Sequence, residues 1–549
     1  MRKTTYILAG VAFAALPLTM QAQTQANDTA LVRTVVVEQE YNPLIQDAAK
    51  VNVLPKVEAP TVSKKEVEYD ATLMPSGNIP AGTMQAYTGK ETQDKAKPGY
   101  ARLGYGNYGN LDVRANYLFT PSPKDRLNLT FAMDGMDGKL KQPYNEEKWN
   151  SYFYRTRANV DYLHSFNKVN LNVAGNFGLS NFNFMPGFVN GKQKFTSGDF
   201  HIGANSTNED MPFLFDVETN LMFYERQSHP LFEEPNKEAI VRTKANVAGR
   251  INDEQLIGLG IAMDNVVYND YTADENYAFE NHTDIALNPY YRYRNDNWDI
   301  RLGAHVDLAF GFGKEFRAAP DVTATYNFAD SYLLYVQAKG GKLQNDFRRL
   351  ESLNPYGQIA NQQDATYEQV NAAIGFKASP ATGLWFHLYG GYQDLKNDLV
   401  FSTGLWVPIV FLSEACGNTN NIYAGAEFSY NYKDIVTFSG AGIYRNWDSD
   451  ENKSIMLPFK PALEADFRMD VRPIPAVLVG IGYRHIARQE VEGNKEDPVS
   501  NLYLSGSYEL FKGISIYARA NNLLNKKYQF HQGCMSEGAN FLGGVSFLF

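Results

Sequence analysis

From Tyr100 to the end of the chain, apolar and polar residues alternate with a period of two. The alternating segments run to about ten residues or more, the pattern of strands with two different faces. Trp298, Ile300, Leu302, Ala304, Val306, Leu308 and Phe310 share one face; Asp299, Arg301, Gly303, His305 and Asp307 share the other. Phe213, Phe215, Val217, Thr219, Leu221 and Phe223 oppose Asp216, Glu218 and Asn220 in the same way. So do Leu463, Ala465, Phe467, Met469 and Val471 against Glu464, Asp466, Arg468 and Asp470. A soluble sandwich also alternates. Here the segments are long, the polar face carries repeated full charges, and the connections are unequal. Tight turns at Ser122–Asp125, Asp253–Glu254, Asn295–Asp296, Lys433–Asp434, Arg472–Pro475 and Phe511–Gly513 interleave with long polar loops. Those loops are Asp137–Trp149, Arg226–Glu238, Gln344–Tyr367, Phe401–Asn420, Glu490–Val499 and Asn525–Asn540. This asymmetry belongs to membrane barrels, with short turns in the periplasm and long loops outside.

Counted over 100–549, with Tyr100–Gly106 and Asn110–Phe119 as a first hairpin, the segments number about 22. The predicted fold class is all-β, a transmembrane antiparallel β-barrel of about 22 strands. An even count puts both barrel ends on the periplasmic side. The final segment, with Phe541, Gly543, Val545, Phe547 and Phe549 on one face, fits a closing strand whose last aromatic sits in the interfacial girdle.

Composition agrees. Aromatic residues make up 13% of the chain, with 35 Tyr and 34 Phe, yet mean hydropathy is −0.38. Strands apolar only at every second residue give that combination. After the N-terminus there is no long apolar run of the kind a membrane helix needs.

The N-terminus, MRKTTYILAGVAFAALPLTMQAQ, has a basic start, an apolar stretch from Ile7 to Leu18 and a small residue at Ala22. It reads as a secretory signal over 1–22. Residues 23–99 are rich in Pro, Lys, Glu, Thr and Ala and poor in aromatics. Pro43, Pro55, Pro60, Pro75, Pro80 and Pro98 punctuate them, which predicts an extended periplasmic segment. Net charge is −10, and loss of Arg2 and Lys3 with the leader would make it more negative. A chain this acidic lacks the basic face that nucleic-acid backbones require. The predicted site is therefore the outer membrane of a Gram-negative bacterium, with membrane lipid as the surrounding partner.

Chemical motifs are sparse. Gly104–Gly109 matches G-x-G-x-x-G, but its flanks are strand-like on both sides, so the glycines read as a sharp bend in the first hairpin. His164, His201, His229, His282, His305, His387, His485 and His531 show no metal-ligand spacing, and neither cysteine lies in a CxxC. Glu464, Asp466 and Asp470, beside Arg468, read as a salt-bridged lumen wall rather than an acid–base pair. Arg242, Lys244 and Arg250 follow a strand carrying Asp216 and Glu218, opposite charges that would brace neighbouring strands. No cofactor or catalytic constellation is expected. Cys416 and Cys534 fall in outer loops, where a disulfide or two unpaired thiols would both fit.

Asn521–Tyr528, NNLLNKKY, followed by a loop and the final Gly543–Phe549, resembles the end of a TonB-dependent receptor barrel. Tyr100–Phe119 resembles the start of such barrels in Bacteroidetes-type members. The two bracket 100–549. The resemblance implies a barrel serving transport of a solute across the outer membrane. It also implies a globular plug ahead of the barrel, larger than residues 23–99 could form, so the N-terminal segment and loops, or a partner, are expected to fill the lumen. Thr34, Val35, Val36 and Val37 resemble the short Val-rich box that binds TonB by strand addition. Plain β-pairing of that run is the other reading. Two alternatives to transport stay open: a non-transporting subunit of a larger outer-membrane assembly or secretion complex, and a passive pore.

Overall fold

The computed structural model describes residues 97–549 except 143–146, 187–190, 208–210, 228–234, 270–278, 330, 358, 360, 407–408, 452 and 532–533; for 402–406 and 409–414 it describes the backbone alone. The expected signal peptide and Thr34–Val37 lie outside the described residues, as does nearly all of the segment over 23–99.

One antiparallel sheet of 22 strands closes on itself. Each strand pairs with the next along the chain. The first, Gly99–Gly106, pairs with Leu111–Ser122 on one side and with the last, Asn540–Leu548, on the other. At the seam the Gly99 amide donates to the Phe549 carbonyl at 2.8 Å, and the Phe549 amide donates back at 2.9 Å. Closure leaves no sheet edge, so every strand can satisfy its backbone polar groups without water, as a bilayer demands.

The side chains are sorted inside out. Leu103, Tyr105, Phe200, Ile257, Leu302 and Phe467 are exposed, whereas Arg102, Asp112, Arg155, Asp284, Asp321 and Arg468 are buried. In a soluble protein these roles are reversed; here the outer face meets lipid and the charges face the lumen. Rings gather at the tight-turn end: Tyr117 with Phe119 at 4.2 Å, Trp298 with Tyr326 at 4.6 Å, Phe328 with Tyr332 at 5.5 Å. That is one aromatic girdle, on the periplasmic side.

The lumen wall is held by cross-strand ion pairs. Arg242 meets Asp264 at 2.7 Å, Lys244 meets Glu218 at 3.3 Å and Arg301 meets Asp321 at 2.7 Å; Arg468 and Asp470, neighbours on one strand, pair at 2.6 Å. Inward tyrosines also lie on the glycine directly opposite. Tyr335 faces Gly375 and Tyr503 faces Gly482. A Cβ would fall 2.4 Å from the Tyr335 ring in the first case and 2.2 Å from the Tyr503 ring in the second. The ring takes the space that the missing side chain leaves.

The first bend is a turn, Asn107–Gly109, with Tyr108 and Gly109 at φ of 56° and 59°. Asn107 fastens it to the last strand, accepting from the Phe541 amide at 2.6 Å and donating to the Ala539 carbonyl at 3.1 Å. Three expected loops differ from expectation. Most of Phe401–Asn420 is a strand hairpin, because Leu384–Trp406 and Ile409–Tyr432 stay paired from Leu384 with Tyr430 out to Trp406 with Ile409. Asn525–Asn540 holds a small hairpin, Gln529–His531 with Cys534–Met535. Gln344–Tyr367 holds a helix, α1, Phe347–Leu353.

Candidate functional site at the outer mouth

The connection between strands Tyr332–Leu343 and Thr366–Ala381 folds inward across the barrel opening instead of standing out in solvent. Its sequence allows this. Asp346 caps α1 by accepting the Arg349 amide at 2.8 Å. Phe347 and Leu350, three apart, make a buried apolar face. On both sides the sheet breaks register, between Lys339 and Gly341 in one pair and between Glu368 and Val370 in the next. Such bulges bend strands.

The buried face of α1 meets a core built by the opposite wall. Phe182, Phe195, Tyr224, Ile240, Val266 and Tyr268 come from strands 153–268. Phe347, Leu350 and Ile359 come from the crossing segment, and Leu399 and Phe401 from the long hairpin. Phe347, Leu350 and Ile359 are each about 2% exposed or less. Burial of each contributes about 1.5–3 kcal/mol. The long hairpin reaches this core by bending: register shifts between Leu395 and Asp398, and Asn397 takes φ of 51°.

Polar contacts fix the far end of the segment to the wall. Arg348 Nη1 donates to Asp199 Oδ2 at 2.7 Å. Glu351 accepts from Ser180 Oγ at 2.9 Å and from the Tyr224 hydroxyl. The Phe347 amide donates to both Glu238 carboxylate oxygens at 3.2 Å. Arg226 Nη2 donates to the Gly357 carbonyl at 2.8 Å. The near end is tied separately: Arg317 Nη2 meets Asp364 at 2.6 Å, and Asn397 donates to the Asp364 carbonyl at 2.5 Å. Beside that base lies a small polar pocket lined by His282, Asp284, Asp307, Lys342, Gln344 and Asp364. Lys342 and Asp284 neutralise each other within it at 2.7 Å.

The small hairpin completes the site. The His531 ring lies 6.4 Å from that of Tyr356, and its edge hydrogen-bonds the Leu353 backbone. Burial, reinforced by the nearby Arg488 guanidinium, pushes the His531 pKa down to about 4. Arg488 itself donates to the Gln529 and Phe530 carbonyls at 3.2 and 3.1 Å, holding the hairpin in place.

Of the residues singled out in the sequence, Glu464 pairs with Arg445 and Asp470 with Arg468, as a wall would. Among the described residues no group of His, Cys, Asp or Glu is arranged to hold a metal ion. Of the two readings left open for Cys416 and Cys534, the structure shows two thiols with no bond between them. Cys416 belongs to the long hairpin, where its Sγ donates to Gln363 Oε1 at 3.0 Å and it packs on the apolar core. Cys534 belongs to the small hairpin, and desolvation pushes its thiol well above the usual value. Sequence reasoning missed Arg348, Glu351, Asp199 and Glu238. The one local signal was helical spacing inside a long polar loop.

No protein-family model and no curated protein sequence matches the chain. Solved structures do match in fold. The apoprotein form of the FrpB iron transporter from Neisseria meningitidis superposes with a TM-score of 0.63 at 11% identity, covering 83% of this chain and 81% of that one. The siderophore receptor PirA from Acinetobacter baumannii gives 0.63 at 8% identity, covering 83% and 81%. The copper transporter OprC gives 0.61 at 14% identity, covering 83% and 80%. At these identities the likeness is one of fold, and it is the barrel fold that the closing motif led one to expect.

Proposed function

We propose that the protein is an outer-membrane barrel that transports a solute across the outer membrane, energised by TonB binding at Thr34–Val37. One observation carries the reading. A closed barrel with a charged lumen has its outer entrance crossed by a folded segment, which suits controlled passage better than a standing hole. Its fold is that of proteins described as transporters of iron and copper and as a siderophore receptor. The test is deletion of residues 31–40. Purified wild-type protein should retain the periplasmic domain of TonB on a column and the deletion should not. Equal retention by both would overturn the TonB assignment.

A second reading is favoured by the depth of the apolar core at the outer mouth, which would also suit a permanently closed subunit of a larger outer-membrane assembly. Affinity purification from native membranes separates the two. A stoichiometric protein partner supports the subunit reading, and recovery of the barrel alone supports transport.

A further inference from the structure

The crossing segment is held separately at its two ends. Its near end is continuous with two strands and is tied at Asp364. Its far end carries α1, whose side chains grip the wall through the Arg348–Asp199 pair and the Glu351 contacts with Ser180 and Tyr224, beside the backbone contacts of Phe347 with Glu238 and of Gly357 with Arg226. A helix of seven residues does not persist alone in water, so α1 is ordered by docking. Buried ion pairs add little net stability over an apolar contact, but losing one partner strands the other and is costly. Such a pair makes the grip sensitive to charge, because a single neutralisation or competing charge weakens it. The register breaks at Lys339/Gly341 and Glu368/Val370 flank the segment, and Gly341 has φ of +139°. They supply a bend on each side about which it can turn.

We propose that residues 346–357 form a latch that closes the outer mouth at rest, and that breaking the Arg348–Asp199 and Glu351 clasp releases it. The latch rests on the transport reading for its purpose, since it would regulate the proposed passage. Its test does not depend on a transported solute or on TonB.

Cys416 is a built-in reporter, because it packs on the apolar core that the docked segment completes. Intact cells carrying C534A protein are treated with a membrane-impermeant maleimide, and the labelling rate of Cys416 is measured. The parent labels slowly. Asp199→Arg and Arg348→Asp each raise the rate by about tenfold or more, by freeing the far end. The charge-swapped double variant returns the rate to within about threefold of the parent. Heat-modifiable gel mobility confirms that each barrel is folded; Glu351→Gln is the milder substitute should a charge reversal fail to assemble, and it too labels faster than the parent. Single variants that label at the parent's rate would overturn the latch, as would a swap that labels as fast as the singles. Deletion of 31–40 leaves all these rates unchanged, so failure of the TonB reading is told apart from failure of the latch.

Discussion

The Tyr517 hydroxyl donates to Asp112 Oδ2 at 3.2 Å although two strands lie between them. Asp112, Gly104, Gly544 and Tyr517 stand directly opposite one another along a single line across the closing seam. The two glycines in the middle leave the space the tyrosine crosses. A Cβ on Gly104 would fall 2.3 Å from the Tyr517 hydroxyl, and one on Gly544 would fall 2.2 Å from the Leu103 carbonyl oxygen. Gly104→Ala should therefore push Tyr517 off Asp112 and destabilise the seam by about 1–3 kcal/mol. The temperature at which the folded band converts to the unfolded band on a gel should drop. Gly198→Ala is the control, since a Cβ there meets nothing within 4 Å. Equal conversion temperatures for the two variants would refute the role given to Gly104.

Asp112 also gathers three guanidinium groups, Arg102 at 2.9 Å, Arg114 at 3.6 Å and Arg519. Asp112→Ala leaves these cations without their shared counter-charge in the wall. Arg519→Met leaves Asp112 still paired with Arg102. The first should cost about 3–5 kcal/mol and the second clearly less. Urea unfolding in lipid vesicles measures both, and the reverse order would show that Asp112 is not the hub of the seam.

The barrel was legible in the sequence because lipid and lumen impose opposite chemistry on alternate residues, and parity survives without any knowledge of partners. Trp298 to Phe310 is an example, since its apolar set is the lipid face observed. The pattern fades where the environment stops being two-sided. Leu384–Trp406 and Ile409–Tyr432 run to 23 and 24 residues, and over Phe401–Asn420 the alternation fades, so that stretch reads as a loop. The site at the outer mouth was not legible for a different reason. Arg348 meets Asp199 from 149 residues away, and no local spacing encodes a contact across a lumen. Only α1 left a mark, in the apolar positions Phe347, Leu350 and Leu353 after a capping Asp346.

The absent disulfide has a direct check. Unfolded without reductant, the purified protein should titrate two thiols, and its gel mobility should not change on reduction. In the folded protein at pH 8, Cys534 should react slowly, because desolvation keeps its thiol protonated. A mobility shift on reduction would contradict the free thiols.

Protonation should undo part of the outer site. Docked His531 has its pKa pushed down to about 4, against an ordinary value of 6.5. The docked hairpin thus binds fewer protons than the released one between those two values. Its docking is complete above pH 6.5 and weakens as pH falls from there towards 4. The charge that would form faces Arg488, which adds repulsion to the cost of burial. Hydrogen exchange of the backbone over 529–535 should accelerate at pH 5 relative to pH 7.5 beyond the intrinsic change in exchange chemistry. His531→Phe keeps a ring against Tyr356 and cannot titrate, so its protection should be the same at both values. If wild type and His531→Phe showed the same pH dependence, His531 would not be the group that loosens the hairpin.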